Sequence, residues 1–162
     1  WQDLRLIDDL SAEQNVNCAL LSNQNLISTF KNLLNISTFH KAHKCMELCN
    51  IDSSIYSRNL KNISGGQKQR IAISRSIIQE PEILFADEPF NNLDHKLCEY
   101  LKNLFISRLN SYKIKLPKTI LFSLHKLDLI NGFTRVIGLK NGEICFDILR
   151  DELRESHLEN IY

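Results

Sequence analysis

Glycine and proline are scarce here, at five and three of 162 residues. The glycines are Gly65, Gly66, Gly132, Gly138 and Gly142, and no two stand five positions apart. That spacing excludes, within these residues, the Gly-x4-Gly-Lys-Ser/Thr loop whose backbone N–H groups and lysine cradle phosphates. No apolar run approaches the ~18 residues that a membrane span requires, so a membrane role has to run through a partner protein. Neither sign of charge is in excess: 20 Lys and Arg face 19 Asp and Glu, for a net charge of +1. Nucleic acid is therefore not expected as a main partner. The chain starts at Trp1 and has no basic stretch leading into an apolar one, so no signal peptide is visible. That start reads as a fragment or a processed chain. The five cysteines, Cys18, Cys45, Cys49, Cys98 and Cys145, are an odd number scattered through regular patterns. This argues against a disulfide framework and for a reduced cytoplasmic setting. Cys45 and Cys49 lie four apart with His40 and His43 nearby, but structural zinc sites use paired short spacings. The thiols are expected to be buried or half-buried small hydrophobes.

What is present is a soluble, globular composition, 43% hydrophobic and 24% charged, long enough for one domain with a core. Residues 3–62 are rich in Asn and Ser and mostly helical in pattern. Val16, Ala19 and Leu20 mark one short helix, and Phe39, Ala42, Cys45, Met46 and Cys49 mark another at helical spacing. Residues 63–148 alternate strand and helix. Ser64 with Gln67 three residues on is a capping-box pattern that opens a helix to about Gln79. Ile83 to Ala86 is a continuous apolar run, expected to be a strand buried on both faces. Asp94 to Leu109 is amphipathic, Thr119 to Ser123 is a second strand, and Asn141-Gly142 is a hairpin turn. Residues 149–162 read as an acidic helical tail. The order argues an α/β fold with a mainly parallel sheet flanked by helices, plus a helical subdomain over residues 3–62.

Three places carry chemistry. At Ser64-Gly65-Gly66-Gln67 a helix start offers unpaired N–H groups and the positive end of the macrodipole, an anion site. The two glycines let phosphate oxygens come close to the backbone, and Ser64 adds a hydroxyl. Lys68, Arg70 and Arg75 read as a solvated or ion-paired helix face. At Asp87-Glu88 two carboxylates end an apolar strand, where ligands of open α/β sheets bind. Asp87 is expected to hold Mg²⁺ and Glu88 to polarise an attacking water. Pro89 biases Glu88 towards extended backbone. Finally, His125 follows the second strand by two residues, where an imidazole could bond a γ-phosphate or the attacking water.

These motifs resemble those of ATP-binding-cassette (ABC) ATPases. Ser64 to Arg70 is similar to the signature, Ile83 to Glu88 to the Walker B strand, Asn92 to Asp94 to the D-loop, and His125 to the switch histidine. Gln2 resembles the Q-loop glutamine, which touches Mg²⁺ or the lytic water, and Asn15-Val16 fits the Asn-Val that follows it. Leu-His-Lys-Leu-Asp-Leu at 124–129, Gly-Leu-Lys-Asn-Gly-Glu-Ile-Cys-Phe-Asp at 138–147 and the closing Leu-Glu-Asn-Ile-Tyr are similar to importer ATPases of the phosphonate-uptake type. Two departures stand out. Asn91-Asn92 lies where the family more often has small residues, and there is no P-loop.

The resemblance implies an ATP-binding and ATP-hydrolysing subunit that energises an importer of phosphonate or a similar oxyanion, with ATP and Mg²⁺ as cofactors. Its partners would be a second ATPase subunit, paired head to tail, and transmembrane permease subunits, on the inner face of the cell membrane. Catalysis would fall to Glu88 and His125, the nucleotide to Ser64, Gly65, Gly66, Gln67, Gln2 and Asp94, and the metal to Asp87 and Gln2. The chain is read as truncated before the Q-loop and inactive by itself. A non-transport ABC ATPase and a non-catalytic, partner-binding remnant are the alternatives.

Overall fold

The computed structural model describes residues 4–23, 39–108, 112–159 and 161. The backbone forms two compact units, Trp1–Ser123 and Leu124–Tyr162.

In the first unit, helix α1 (Ala12–Asn17) opens with a reciprocal cap. The Gln14 N–H donates to Ser11 Oγ at 3.2 Å and the Ser11 N–H to Gln14 Oε1 at 2.8 Å. A 3₁₀ turn, Cys18–Asn23, continues it. Helices α2 (His40–Leu48) and α3 (Gly65–Ile77) pack with α1 as a three-helix cluster. Val16, Cys45, Met46 and Ile71 are fully buried there. Ala42, Cys45, Met46 and Cys49 recur at the three- and four-residue steps of one helix face, so burying that face is what orders α2.

Strand β1 (Ile83–Ala86) pairs in parallel with β2 (Thr119–Phe122), with Ile83 opposite Thr119 and Ala86 opposite Phe122. Between them runs α4 (His95–Ser107), capped by Asp94 and ended by Arg108 in the left-handed conformation (φ +56°). On the inner face the Phe122 ring meets Phe90 and Phe105 edge-on, at centroid distances of 5.7 and 5.4 Å. The expected two-sided burial of β1 is not found. Ile83 is 55% and Phe85 71% exposed, with Leu121 of β2 beside them at 51%. Strand side chains alternate between faces, and the described residues cover only one. An unbroken apolar run records the strand's hydrophobicity but not how many layers cover it.

The second unit is built on the antiparallel pair β3 (Arg135–Lys140) and β4 (Glu143–Leu149). Asn141 and Gly142 both have positive φ (+53° and +82°), the requirement of a two-residue type I′ turn. The register shifts between Gly138 and Leu139, where Gly138 faces Phe146 and Leu139 faces Ile144, so Cys145 is the extra residue of a bulge. Cys145 is exposed, against expectation, whereas Cys45, Cys49 and Cys98 are buried and Cys18 is half-buried. The acidic tail is not one helix. Leu149 belongs to β4, a 3₁₀ turn spans Arg150–Glu152, and α5 (Glu155–Glu159) is five residues long. Pairing of Leu149 with Arg135 and extended backbone at Leu153 (φ −67°, ψ 124°) interrupt the helical register. Among the described residues, no helix is long and apolar enough to cross a membrane.

Candidate functional site

The site of the first unit is assembled from the start of α3 and the segment that leaves β1. Ser64 caps α3: its Oγ accepts the Gln67 N–H at 3.3 Å, and Gln67 Oε1 accepts the Ser64 N–H at 3.0 Å. Gln67 is thereby committed to the cap, while the Ser64 hydroxyl keeps its proton to donate. The two glycines divide their work. A Cβ on Gly65 would meet nothing within 4 Å, whereas one on Gly66 would lie 2.7 Å from the Asn92 carbonyl oxygen. Gly65 leaves the helix start open to an anion, and Gly66 admits the D-loop backbone instead. The basic residues of α3 hold the chain itself. Lys68 pairs with Asp8 at 3.4 Å, Arg70 bonds the Asn50 carbonyl, and Arg75 donates to the Leu4 and Arg5 carbonyls at 2.6 and 2.7 Å.

Beyond β1 the backbone turns sharply. Glu88 takes φ +45°, not the extended conformation expected before Pro89. The turn itself imposes this. The Asn91 N–H returns to the Glu88 carbonyl at 3.1 Å, and the Asn91 side-chain amide donates to Glu88 Oε2. From α3, the buried Gln69 donates to the Pro89 carbonyl at 2.8 Å and the Glu88 carbonyl at 3.4 Å. Ser123, one residue past β2, donates from Oγ to Asp87 Oδ1 at 2.5 Å and accepts the Glu88 N–H at 2.8 Å. The two carboxylates therefore leave one strand end in a fixed relation. Asp94 spends one oxygen on the Leu97 N–H at 2.9 Å, as the cap of α4, and its other acceptor positions remain.

Gln2 lies outside the described residues. His125 is exposed in the second unit, ahead of a 3₁₀ turn at Leu127–Ile130. Asn15 is 1% exposed and structural: its side chain accepts from the Ile7 N–H at 2.8 Å and donates to the Ile7 and Ser11 carbonyls at 2.9 and 3.0 Å. Sequence reasoning missed Gln69, Ser123 and the bond from Asn91 to Glu88. Ser123 could have been found from the parallel register, since the residues following Ala86 and Phe122 are Asp87 and Ser123. Gln69 carries no such signal, because a polar residue on a helix usually faces water.

Among the described residues, no group of three His, Cys, Asp or Glu is placed to hold a metal. The two carboxylates at the end of β1, Asp87 and Glu88, are hard oxygen donors of the type Mg²⁺ takes in ones and twos, with water and phosphate oxygens completing its shell.

A family model described as ABC transporter matches residues 1–91. The chain belongs to the ABC transporter family. It is 34% identical, over its whole length, to the phosphonates import ATP-binding protein PhnC of Fusobacterium nucleatum, and spans 64% of that protein. It is 44% identical to PhnC of Mesoplasma florum over 102 residues, which cover 62% of this chain and 39% of that one. Among solved structures it is similar to the ATP-binding cassette MJ0796, a dimer in a post-hydrolysis state bound to ADP and Pi. The TM-score is 0.71 at 26% identity, over 92% of this chain and 60% of that one. The fold is accordingly that of an ABC cassette, of the P-loop NTPase type.

Proposed function

We propose that the chain is the signature and Walker B portion of an ATP-hydrolysing subunit that energises an importer of phosphonate or a similar oxyanion. The observation that carries this reading is the joined pair of motifs. The open helix start at Ser64-Gly65 and the backbone segment that follows Asp87 are tied together, Gln69 donating to the Glu88 and Pro89 carbonyls and Gly66 admitting the Asn92 carbonyl. The names of the 34% and 44% identical relatives support the substrate class.

In this reading Asp87 and Gln2 would hold Mg²⁺, and Glu88 would take the proton of the attacking water. His125 would bond the γ-phosphate, and Asp94 would take part in binding the nucleotide. Ser64, Gly65, Gly66 and Gln67 form the surface that closes on ATP held by a second subunit, paired head to tail. Permease subunits would hold the pair at the inner face of the membrane. Glu88 in the left-handed region is a strained conformation kept by surrounding bonds, as functional sites often are.

Because these 162 residues hold no Gly-x4-Gly-Lys sequence, the polypeptide by itself should bind ATP no tighter than millimolar. Calorimetric titration with Mg-ATP tests this, and micromolar affinity refutes it. When a polypeptide carrying that loop is supplied, Glu88→Gln should abolish turnover and leave ATP binding intact. Retained turnover removes Glu88 as the base.

A further inference from the structure

We infer that Ser123 is a positioning residue, which locks Asp87 and Glu88 into one unit through a single hydroxyl; this rests on the roles proposed above for the two carboxylates. The geometry requires one group that donates and accepts at the same atom. Ser123 Oγ gives its proton to Asp87 Oδ1 and takes the Glu88 N–H at 2.8 Å. A hydroxyl does both, whereas a carbonyl only accepts and an ammonium only donates. The Ser123 backbone is itself pinned, its N–H donating to the Ala86 carbonyl at 3.1 Å, so the hydroxyl is carried on the last rung of the parallel pair.

The consequences differ for the two acids. At Asp87 the bond occupies Oδ1 and restrains the plane of the carboxylate. At Glu88 it holds the backbone amide at a residue with φ +45° before a proline, a conformation disfavoured by the proline ring. Releasing that amide lets Glu88 relax toward extended backbone and swings its side chain away from the strand end. Asn91 holds the Glu88 carboxylate, so at Glu88 Ser123 fixes the backbone and Asn91 the tip.

The test is amide hydrogen exchange, read by NMR on the 162-residue chain, in Ser123→Ala, Ser123→Val and Ser123→Thr. Threonine keeps the hydroxyl, and valine has the shape of threonine without it. The Glu88 amide should exchange roughly five- to tenfold faster in the alanine and valine variants, the loss of one hydrogen bond. It should return to the wild-type rate in the threonine variant, with Leu84 and Ile120 unchanged in all three. The inference is overturned if Glu88 exchanges alike in alanine and wild type, if threonine fails to restore it, or if faster exchange spreads along β1 and β2. Line broadening by added Mn²⁺ at Asp87 of the wild-type chain reads the underlying assignment separately. Its absence would remove the metal role of Asp87 while the exchange result on Ser123 stood.

Discussion

Gly66→Ala is the sharpest probe of how the signature helix meets the D-loop. The new Cβ would lie 2.7 Å from the Asn92 carbonyl oxygen and 3.5 Å from Leu93 Cδ2. A carbon–oxygen contact normally closes no nearer than about 3.3 Å, so the overlap is roughly 0.6 Å. The carbonyl cannot swing away cheaply. Asn92 already sits at φ +60°, Leu93 is buried, and the segment is closed by bonds from Asn91 to Glu88 and from Leu93 to Phe90. Overpacking of this kind costs about 1–3 kcal/mol. Against it stands the gain from replacing glycine in a helix, up to about 1 kcal/mol. Gly65→Ala isolates the two contributions, because it carries the same propensity gain and its Cβ meets nothing within 4 Å. The difference between the two variants is then the overlap alone, about 1–3 kcal/mol. At roughly 2–4 °C per kcal/mol for a chain of this size, Gly66→Ala should melt several degrees below Gly65→Ala. Calorimetry or circular dichroism on the two purified chains reads this directly. Equal melting temperatures would refute the close approach of α3 to the D-loop.

Three further outcomes follow from buried groups. Asn15→Leu should cost about 1–3 kcal/mol in urea unfolding, since it takes the acceptor from the Ile7 N–H while the Ile7 and Ser11 carbonyls keep the Leu10 and Asn15 N–H groups; a cost under about 1 kcal/mol would contradict the assigned network. Gln69→Leu keeps the side chain's bulk but removes the donor to the Pro89 carbonyl. It should cost about 1–3 kcal/mol, with Gln69→Glu no better because a carboxylate repels that oxygen. Burial pushes the Cys45 and Cys49 thiols up from 9.0 to about 12. The unfolded chain then loses these protons first, so their contribution is complete below about pH 9 and is lost as pH rises towards 12. Urea midpoints across that range should fall, and should fall less steeply in Cys49→Ala; equal slopes would argue that Cys49 is accessible to water.

Much of the fold and site was legible because it rests on local rules. The Ser64–Gln67 box, the helix face at Ala42, Cys45 and Met46, and the left-handed pair Asn141-Gly142 each depend on residues within one turn of chain. The order of the motifs was enough to name the family. What stayed hidden depends on separations that no local pattern encodes. The run Ile83–Ala86 identified a strand, yet which of its faces is covered was decided by Phe90, Phe105 and Phe122, brought from elsewhere in the chain. Two adjacent glycines looked equivalent until the fold set one against the Asn92 carbonyl and left the other open. Pro89 favours an extended Glu88 by local sterics, but bonds from Ser123, Asn91 and Gln69 outweigh that preference. Residue types and spacing by themselves determined the family and which groups are proposed to carry the chemistry. Only tertiary structure decided how those groups are held, because the bonds that hold them span up to 36 residues and form only when β1, β2 and α3 meet.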